Sequence, residues 1–128
     1  MKIAVVGSRR FADYDLMKKV LDAHGKVDLI YSGGAMGADT LAQRYAKENG
    51  IVITIFYPKY DTYGKKAPLV RNVLIAQVCD EMIAFPMWDS SGTSHVINKG
   101  FQLGKKVYII KTMEDGSVQT SIRKREDK

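Results

Sequence analysis

One cysteine, Cys79, and three prolines are spread over 128 residues. A single thiol rules out an intramolecular disulfide framework, so the fold has to be held by its core. The same scarcity fits a reducing compartment. No apolar run approaches the roughly 20 residues of a membrane-spanning helix, and the opening Met1-Lys2-Ile3-Ala4-Val5-Val6-Gly7 is too short in apolar residues for a signal peptide. The expectation is a cytoplasmic protein with no membrane partner. Repeats, linkers and low-complexity segments are also missing. No glycine is followed by the Lys-Ser/Thr of a P-loop, and no G-x-G-x-x-G follows the first apolar run, which argues against a usual ATPase or dehydrogenase. No metal and no cofactor is expected.

What is present is an ordinary globular composition, 45% hydrophobic and 27% charged, in a length that suits one domain. Residues 2–7 are a non-alternating apolar run, the mark of a central buried strand. Further strands are expected at about 27–32, 51–56, 81–86 and 106–111. Asp13 is a helix N-cap ahead of Leu16, Met17, Val20 and Leu21 at helical spacing. Three more helices follow, one over Leu41–Ala46 and stopped by Asn49-Gly50, one opened by Pro68, and one through Val96–Leu103. Strand and helix in alternation predict an α/β, Rossmann-like doubly wound domain over 1–111, with a mainly parallel five-stranded sheet and helices on both faces. Residues 112–128 form a polar, basic extension with a weak strand or hairpin pattern around Asp115-Gly116. The net charge of +6 owes much to this tail and to Lys65-Lys66, and on its own it carries only a modest case for nucleic acid.

In such a fold the ligand crevice lies beyond the carboxyl ends of the strands, where the winding reverses. Three loops there combine glycine with hydroxyls: Gly7-Ser8-Arg9-Arg10, Ser32-Gly33-Gly34-Ala35-Met36-Gly37, and Ser90-Ser91-Gly92-Thr93-Ser94. Backbone N–H groups and hydroxyls at helix starts cradle phosphate, and arginine adds a charge-assisted fork. Each of these residue types also serves in ordinary turns, where the glycines would only permit close packing. Arg9 and Arg71 are read as ligand contacts at the rim, although Arg71 also suits a carboxylate across helices. Asp39 either complements the dipole of its helix or binds ribose hydroxyls or water. His95 is a surface residue, a phosphate ligand or a general base, and Asp89 is a turn residue or a replacement acid. Trp88 and Tyr57 either stack on a base or cover the sheet edge. Residues 57–67 are expected to lack regular structure, with Lys59, Lys65 and Lys66 either solvated or closing over phosphates.

The combination of Gly7-Ser8-Arg9 with Phe11 and Asp13, Ser32-Gly33-Gly34-Ala35-x-Gly37-Ala38-Asp39-x-Leu41-Ala42, Arg71-Asn72, and Phe85-Pro86 followed by Ser91-Gly92-Thr93 resembles the SLOG superfamily. That Rossmann-like group includes the Smf/DprA proteins and the Lonely Guy phosphoribohydrolases, and the resemblance is nearest to its small YspA- and YpsA-related branch. It implies binding of a nucleotide or nucleotide-derived ligand, of the nucleoside monophosphate or ADP-ribose type, in a homo-oligomer. The catalytic arginine of the Lonely Guy enzymes corresponds most nearly to Arg71. Their glutamate, three residues after the Gly-Thr, falls on Val96, which can neither protonate a leaving group nor activate water.

The expected function is therefore to hold a nucleotide-derived small molecule with Gly7, Ser8, Arg9, Ser32, Gly33, Gly34, Gly37, Asp39, Arg71, Asn72, Ser91, Gly92 and Thr93. One alternative is a hydrolase of an N-glycosidic or phosphoester bond using Arg71, Asp39 and His95. The other is a DNA-binding protein of the Smf/DprA kind.

Overall fold

A computed structural model of the chain describes residues 1–89 and 92–125. Five parallel strands, β1 (Lys2–Gly7), β2 (Leu29–Ser32), β3 (Val52–Ile55), β4 (Glu81–Phe85) and β5 (Lys106–Thr112), share one sheet with an antiparallel sixth, β6 (Val118–Arg123). The strand order is β3-β2-β1-β4-β5-β6, so the winding reverses between β1 and β4. Helices α1 (Tyr14–His24) and α2 (Ala38–Asn49) cover one face, and α4 (Ala67–Val78) and α5 (Gly92–Gln102) the other. A short helix, α3 (Tyr60–Tyr63), and a 3-10 turn over Gly64–Lys66 lead into α4.

The two central strands explain this layering. Along β1, Ile3 and Val5 pack toward α1 and α2, while Ala4 and Val6 pack toward α4 and α5. In β4, Ile83 and Phe85 take the first side and Met82 and Ala84 the second. A strand buried on both faces needs apolar residues at every position, which is why neither run alternates.

Two elements depart from the sequence reading. The sheet has six strands rather than five, because residues 113–117 reverse the chain and β6 pairs with β5 from Val107↔Arg123 to Thr112↔Val118. The turn is held by the Asp115 carboxylate, which accepts from the Ser117 N–H at 2.9 Å. All six β6 residues are exposed, so no inside-outside alternation marks the strand. The segment 57–67, expected without regular structure, holds α3 and the 3-10 turn, both too short to show a 3.6-residue period.

Helix α1 starts as its residues dictate, with the Asp13 carboxylate accepting the Leu16 N–H at 3.1 Å. It is tied to α2 reciprocally. Tyr14 of α1 donates to Glu48 of α2 at 2.7 Å, and Tyr45 of α2 donates to Asp22 of α1 at 2.7 Å. The Arg44 guanidinium lies 3.8 Å from the Tyr14 ring centroid. Burial, then the bond to Glu48, pushes the Tyr14 phenol up to about 12, and burial and Asp22 push Tyr45 upward as well.

Below the ordinary phenol value of 10.0, folded and unfolded chains carry the same tyrosine protons. Above it the unfolded chain releases protons that the fold keeps, so stability falls as pH rises from there toward 12. Spectrophotometric titration of the seven tyrosines should show a late step that disappears in the Tyr14→Phe/Tyr45→Phe double variant. Ionisation of all seven together while the fold persists would overturn these assignments.

Candidate functional site

At the switch between β1 and β4 the sheet opens into a crevice of about 740 Å³, within the size range of small-molecule sites. Its walls come from four places. Gly7 ends β1 and Ser8, Arg9 and Arg10 follow it; Gly33 to Met36 and Asp39 follow β2; Tyr60, Leu69, Arg71 and Asn72 come from α3 and α4; Asp89, Gly92, Thr93 and Val96 follow β4.

The floor is set by close backbone approach. A Cβ on Gly7 would stand 2.6 Å from both the Ala38 Cβ and the Phe85 carbonyl oxygen, so only glycine lets α2 and β4 close on the end of β1. The Ser8 N–H donates to the Phe85 carbonyl at 3.1 Å, and the Ser8 carbonyl accepts from Phe11 at 3.2 Å and from Ala38 at 3.1 Å. The hydroxyl of Ser8 accepts the Arg10 N–H at 3.1 Å. Gly37, with φ +72°, is pressed against the Ser8 and Arg9 carbonyl oxygens, each 2.4 Å from where a Cβ would be.

Gly33 is flanked by the two charges of the site. A Cβ there would lie 2.6 Å from Arg71 Nη1 and 3.0 Å from Asp39 Oδ2. Arg71 donates through Nη1 to the Gly33 carbonyl and through Nε to Asn72 Oδ1 at 2.9 Å. The Asp39 carboxylate accepts the Ala35 N–H at 2.9 Å. Burial pushes the Asp39 carboxyl above the ordinary carboxylate range, while the Ala35 amide, Arg71, the Ser32 hydroxyl and the Gly33 amide pull it back. Burial likewise lowers the Arg71 guanidinium, against the attraction of Asp39 and Tyr60. The pair is thus a partly desolvated cation and anion, a setting in which a further negative charge from a ligand would meet a strong response.

The opposite wall carries the start of α5. Thr93 is buried in its first turn and lines the crevice, where helix N–H groups lack intrahelical partners and the dipole is positive. Val96, one turn on, is 3% exposed and also lines the crevice. The position that would have to supply a carboxylate is therefore apolar and inside the site.

The structure brings Gly7, Ser8, Arg9, Gly33, Gly34, Asp39, Arg71, Asn72, Gly92 and Thr93 to the lining. Ser91 lies outside the described residues. Ser32 and Gly37 do not line the crevice: Ser32 is fully buried behind it, and Gly37 packs against the β1 loop. His95 is set back as well, its Nδ1 3.3 Å from the Asn72 amide nitrogen. Burial and then Lys99 hold the imidazole below its ordinary value, so it is neutral at pH 7. Trp88 is turned outward under the Arg10 guanidinium, 5.9 Å from the ring centroid, while Arg10 pairs with Asp89. Tyr57 covers Gly34.

The rim gains an apolar side from Tyr60 and Leu69, which sequence reasoning missed, and from Met36 of the β2 loop. They are 60%, 46% and 67% exposed, unusually open for such side chains next to a cavity. The clustered aromatics of residues 57–63 were the available signal.

Comparison with known proteins agrees with the fold. The resemblance to the SLOG superfamily holds, since residues 1–63 match the sequence model of the family described as "YspA, cpYpsA-related SLOG family". The Gene 61 protein of Mycobacterium phage D29 is 28% identical over 113 residues, spanning 80% of this chain and 90% of that protein. DNA processing protein A (DprA) from Streptococcus pneumoniae shares the fold with a TM-score of 0.70 and 25% identity over 84% of this chain. This chain spans about half of the DprA chain, 49%. Among the described residues, no helix is long and apolar enough to cross a membrane.

Proposed function

We propose that the crevice between β1 and β4 holds a nucleotide or nucleotide-derived ligand of the nucleoside monophosphate or ADP-ribose type. The observation that carries this reading is the convergence of Arg71, the start of α5 and the β1 loop on one cavity at the topological switch point. Phosphate would meet the α5 amides and Thr93, with Arg9 and Arg71 supplying charge, and the Asp39 carboxylate would accept from ribose hydroxyls. The apolar rim of Met36, Tyr60 and Leu69 suits a base. The fold shared with DprA and the SLOG match support a nucleotide-related role in general.

Binding is preferred over hydrolysis because Val96 lines the crevice where an acid or base would be needed, and His95 is set back from it. Asp39 lines the crevice and burial has raised its carboxyl, and it is the residue to test if turnover is found. DNA binding of the Smf/DprA kind is the third reading, and a homo-oligomer is proposed with the first.

Thermal unfolding followed with AMP, ADP-ribose and NAD should show an upward shift with at least one of them, since a ligand that binds only the folded state stabilises it. At 100 times its Kd the gain is about 2.7 kcal/mol. No shift with any of the three at millimolar concentration would reject the reading. Retardation of single-stranded DNA at low salt without a nucleotide shift would replace it with the third.

A further inference from the structure

The hydrogen bonds around Arg71 continue beyond the crevice. Its Nη1 donates to the Gly33 carbonyl and its Nε to Asn72 Oδ1 at 2.9 Å, so the planar guanidinium is fixed through both nitrogens. Behind Asn72 stands His95 of α5, with Nδ1 3.3 Å from the Asn72 amide nitrogen. Gly33, Arg71, Asn72 and His95 thus form one chain of bonds that runs from the β2 loop across α4 to α5.

The donors and acceptors in that chain fix where its protons sit. An arginine can only donate, so the Asn72 oxygen has to face Nε. The Asn72 NH2 group then faces His95, and it too can only donate. His95 Nδ1 therefore accepts, and the ring is the neutral tautomer with its proton on Nε2. A proton on Nδ1 has no place here. It would set one N–H against another, and turning the Asn72 amide over would only move the conflict to Arg71 Nε. Burial of the half-buried ring opposes protonation in the same sense, as does Lys99 one turn further along α5, and Arg71 on α4 beyond Asn72 is a second positive charge.

We propose that His95 is a positioning residue for Arg71: through Asn72 it holds the guanidinium in place at the crevice, and a proton on Nδ1 releases that hold. The chain of bonds stands by itself, whereas its consequence for binding rests on the reading of Arg71 as a phosphate contact. When the imidazole is protonated, one of the two bonds that orient the arginine is lost. A phosphate-bearing ligand is then held more weakly in acid.

The chain is tested first without ligand. The protein has two histidines, so NMR of the ring nitrogens distinguishes them, and His95→Asn identifies the signals of His95 by their loss. At about pH 7 its Nδ1 should be bare and its Nε2 protonated. The Arg71 Nε resonance, identified by its loss in Arg71→Lys, should shift with the midpoint of the His95 titration. In His95→Asn an amide oxygen takes the place of Nδ1 and does not titrate, so that shift should vanish. Asn72→Asp can only accept, and should move the His95 proton to Nδ1. A proton on Nδ1 in the parent chain, or an Arg71 resonance indifferent to His95, would overturn the proposal.

ADP-ribose is the probe for binding, because a phosphate monoester such as AMP itself titrates near about pH 6. Between about pH 8 and about pH 5, either side of the ordinary imidazole value of 6.5, its Kd should rise about two- to twelve-fold in the parent chain. In His95→Asn the rise should be less than about two-fold. Equal rises in the two proteins would overturn the role of His95 in binding. No binding of ADP-ribose at any pH would count against the reading of the crevice, while the His95 proton and the Arg71 resonance still decide the proposal.

Discussion

Gly37→Ala is expected to cost the fold more than any other single methyl group added to a loop of this chain. Two effects combine. The φ of +72° places an L-residue in the left-handed region, at about 1 kcal/mol. The new Cβ would then stand 2.4 Å from the carbonyl oxygens of both Ser8 and Arg9, and neither is the end of a flexible side chain. Both belong to the β1 loop, whose Ser8 carbonyl is fixed by the Phe11 and Ala38 amides. Overpacking of this kind costs ~1–3 kcal/mol, so the total is about 2–4 kcal/mol in a fold whose whole stability is ~5–15 kcal/mol. Urea unfolding should show a clear drop in midpoint with little change in slope. Gly116→Ala is the control, because Gly116 has φ +87° but nothing within 4 Å of a Cβ. It should lose only about 1 kcal/mol. Equal losses in the two variants would mean that the contact with the β1 loop is not as close as described.

Arg71→Ala is expected to abolish most of the ligand affinity while leaving a folded protein. Hydrogen bonds to charged groups contribute ~1.5–3 kcal/mol, so the loss for AMP or ADP-ribose is about 10- to 150-fold in Kd by titration calorimetry. Arg71→Lys keeps the charge but not the planar fork, and should recover part of the affinity. The side chain also ties α4 to the Gly33 carbonyl, so a purely structural role has to be separated. That role predicts a lower melting temperature without ligand and an unchanged Kd below it. An unchanged Kd would remove Arg71 from the ligand site.

The same variant carries a pH signature. Removing the guanidinium takes away one of the groups holding Asp39 down, so its carboxyl should rise further above the ordinary carboxylate range. A raised carboxyl favours the protonated form in the fold, and stability then falls as pH climbs through that range toward neutrality. Arg71→Ala should show a steeper fall than the parent chain.

Much of the architecture could be read from residue patterns, and the gaps have physical causes. Strands buried on both faces leave continuous apolar runs, so β1 and β4 were plain. The N-cap at Asp13 and the stop at Gly50 mark helix ends by chemistry that works locally. Strand β6 has no buried side, so pattern gave only the turn at Asp115-Gly116. In the site, glycine and arginine were legible because few residue types can do what they do there. Tyr60 and Leu69 were not, since an apolar residue lining a cavity looks in sequence like any other apolar residue. Ser32 shows the converse: as the last residue of β2 it is fully buried and does not line the crevice. Gly34 and Gly37, side by side in pattern, face different neighbours, Tyr57 in one case and the β1 loop in the other.

The pairing of β1 with β4 has a consequence for the order in which the molecule is made. Gly7 meets Phe85 in the sheet, and the Ser8 amide is held by the Phe85 carbonyl. During synthesis the first strand emerges with its β2 partner early, yet one side of it stays unpaired until more than half the chain has followed. Contacts this distant in sequence form slowly, because loop closure comes before any gain from them. The crevice is therefore a late product of folding, and a nascent chain shorter than β4 would expose the β1 edge, a template for mispairing. Pulse-labelling hydrogen exchange during refolding should find the Ser8 amide protected after those of β2, together with β4.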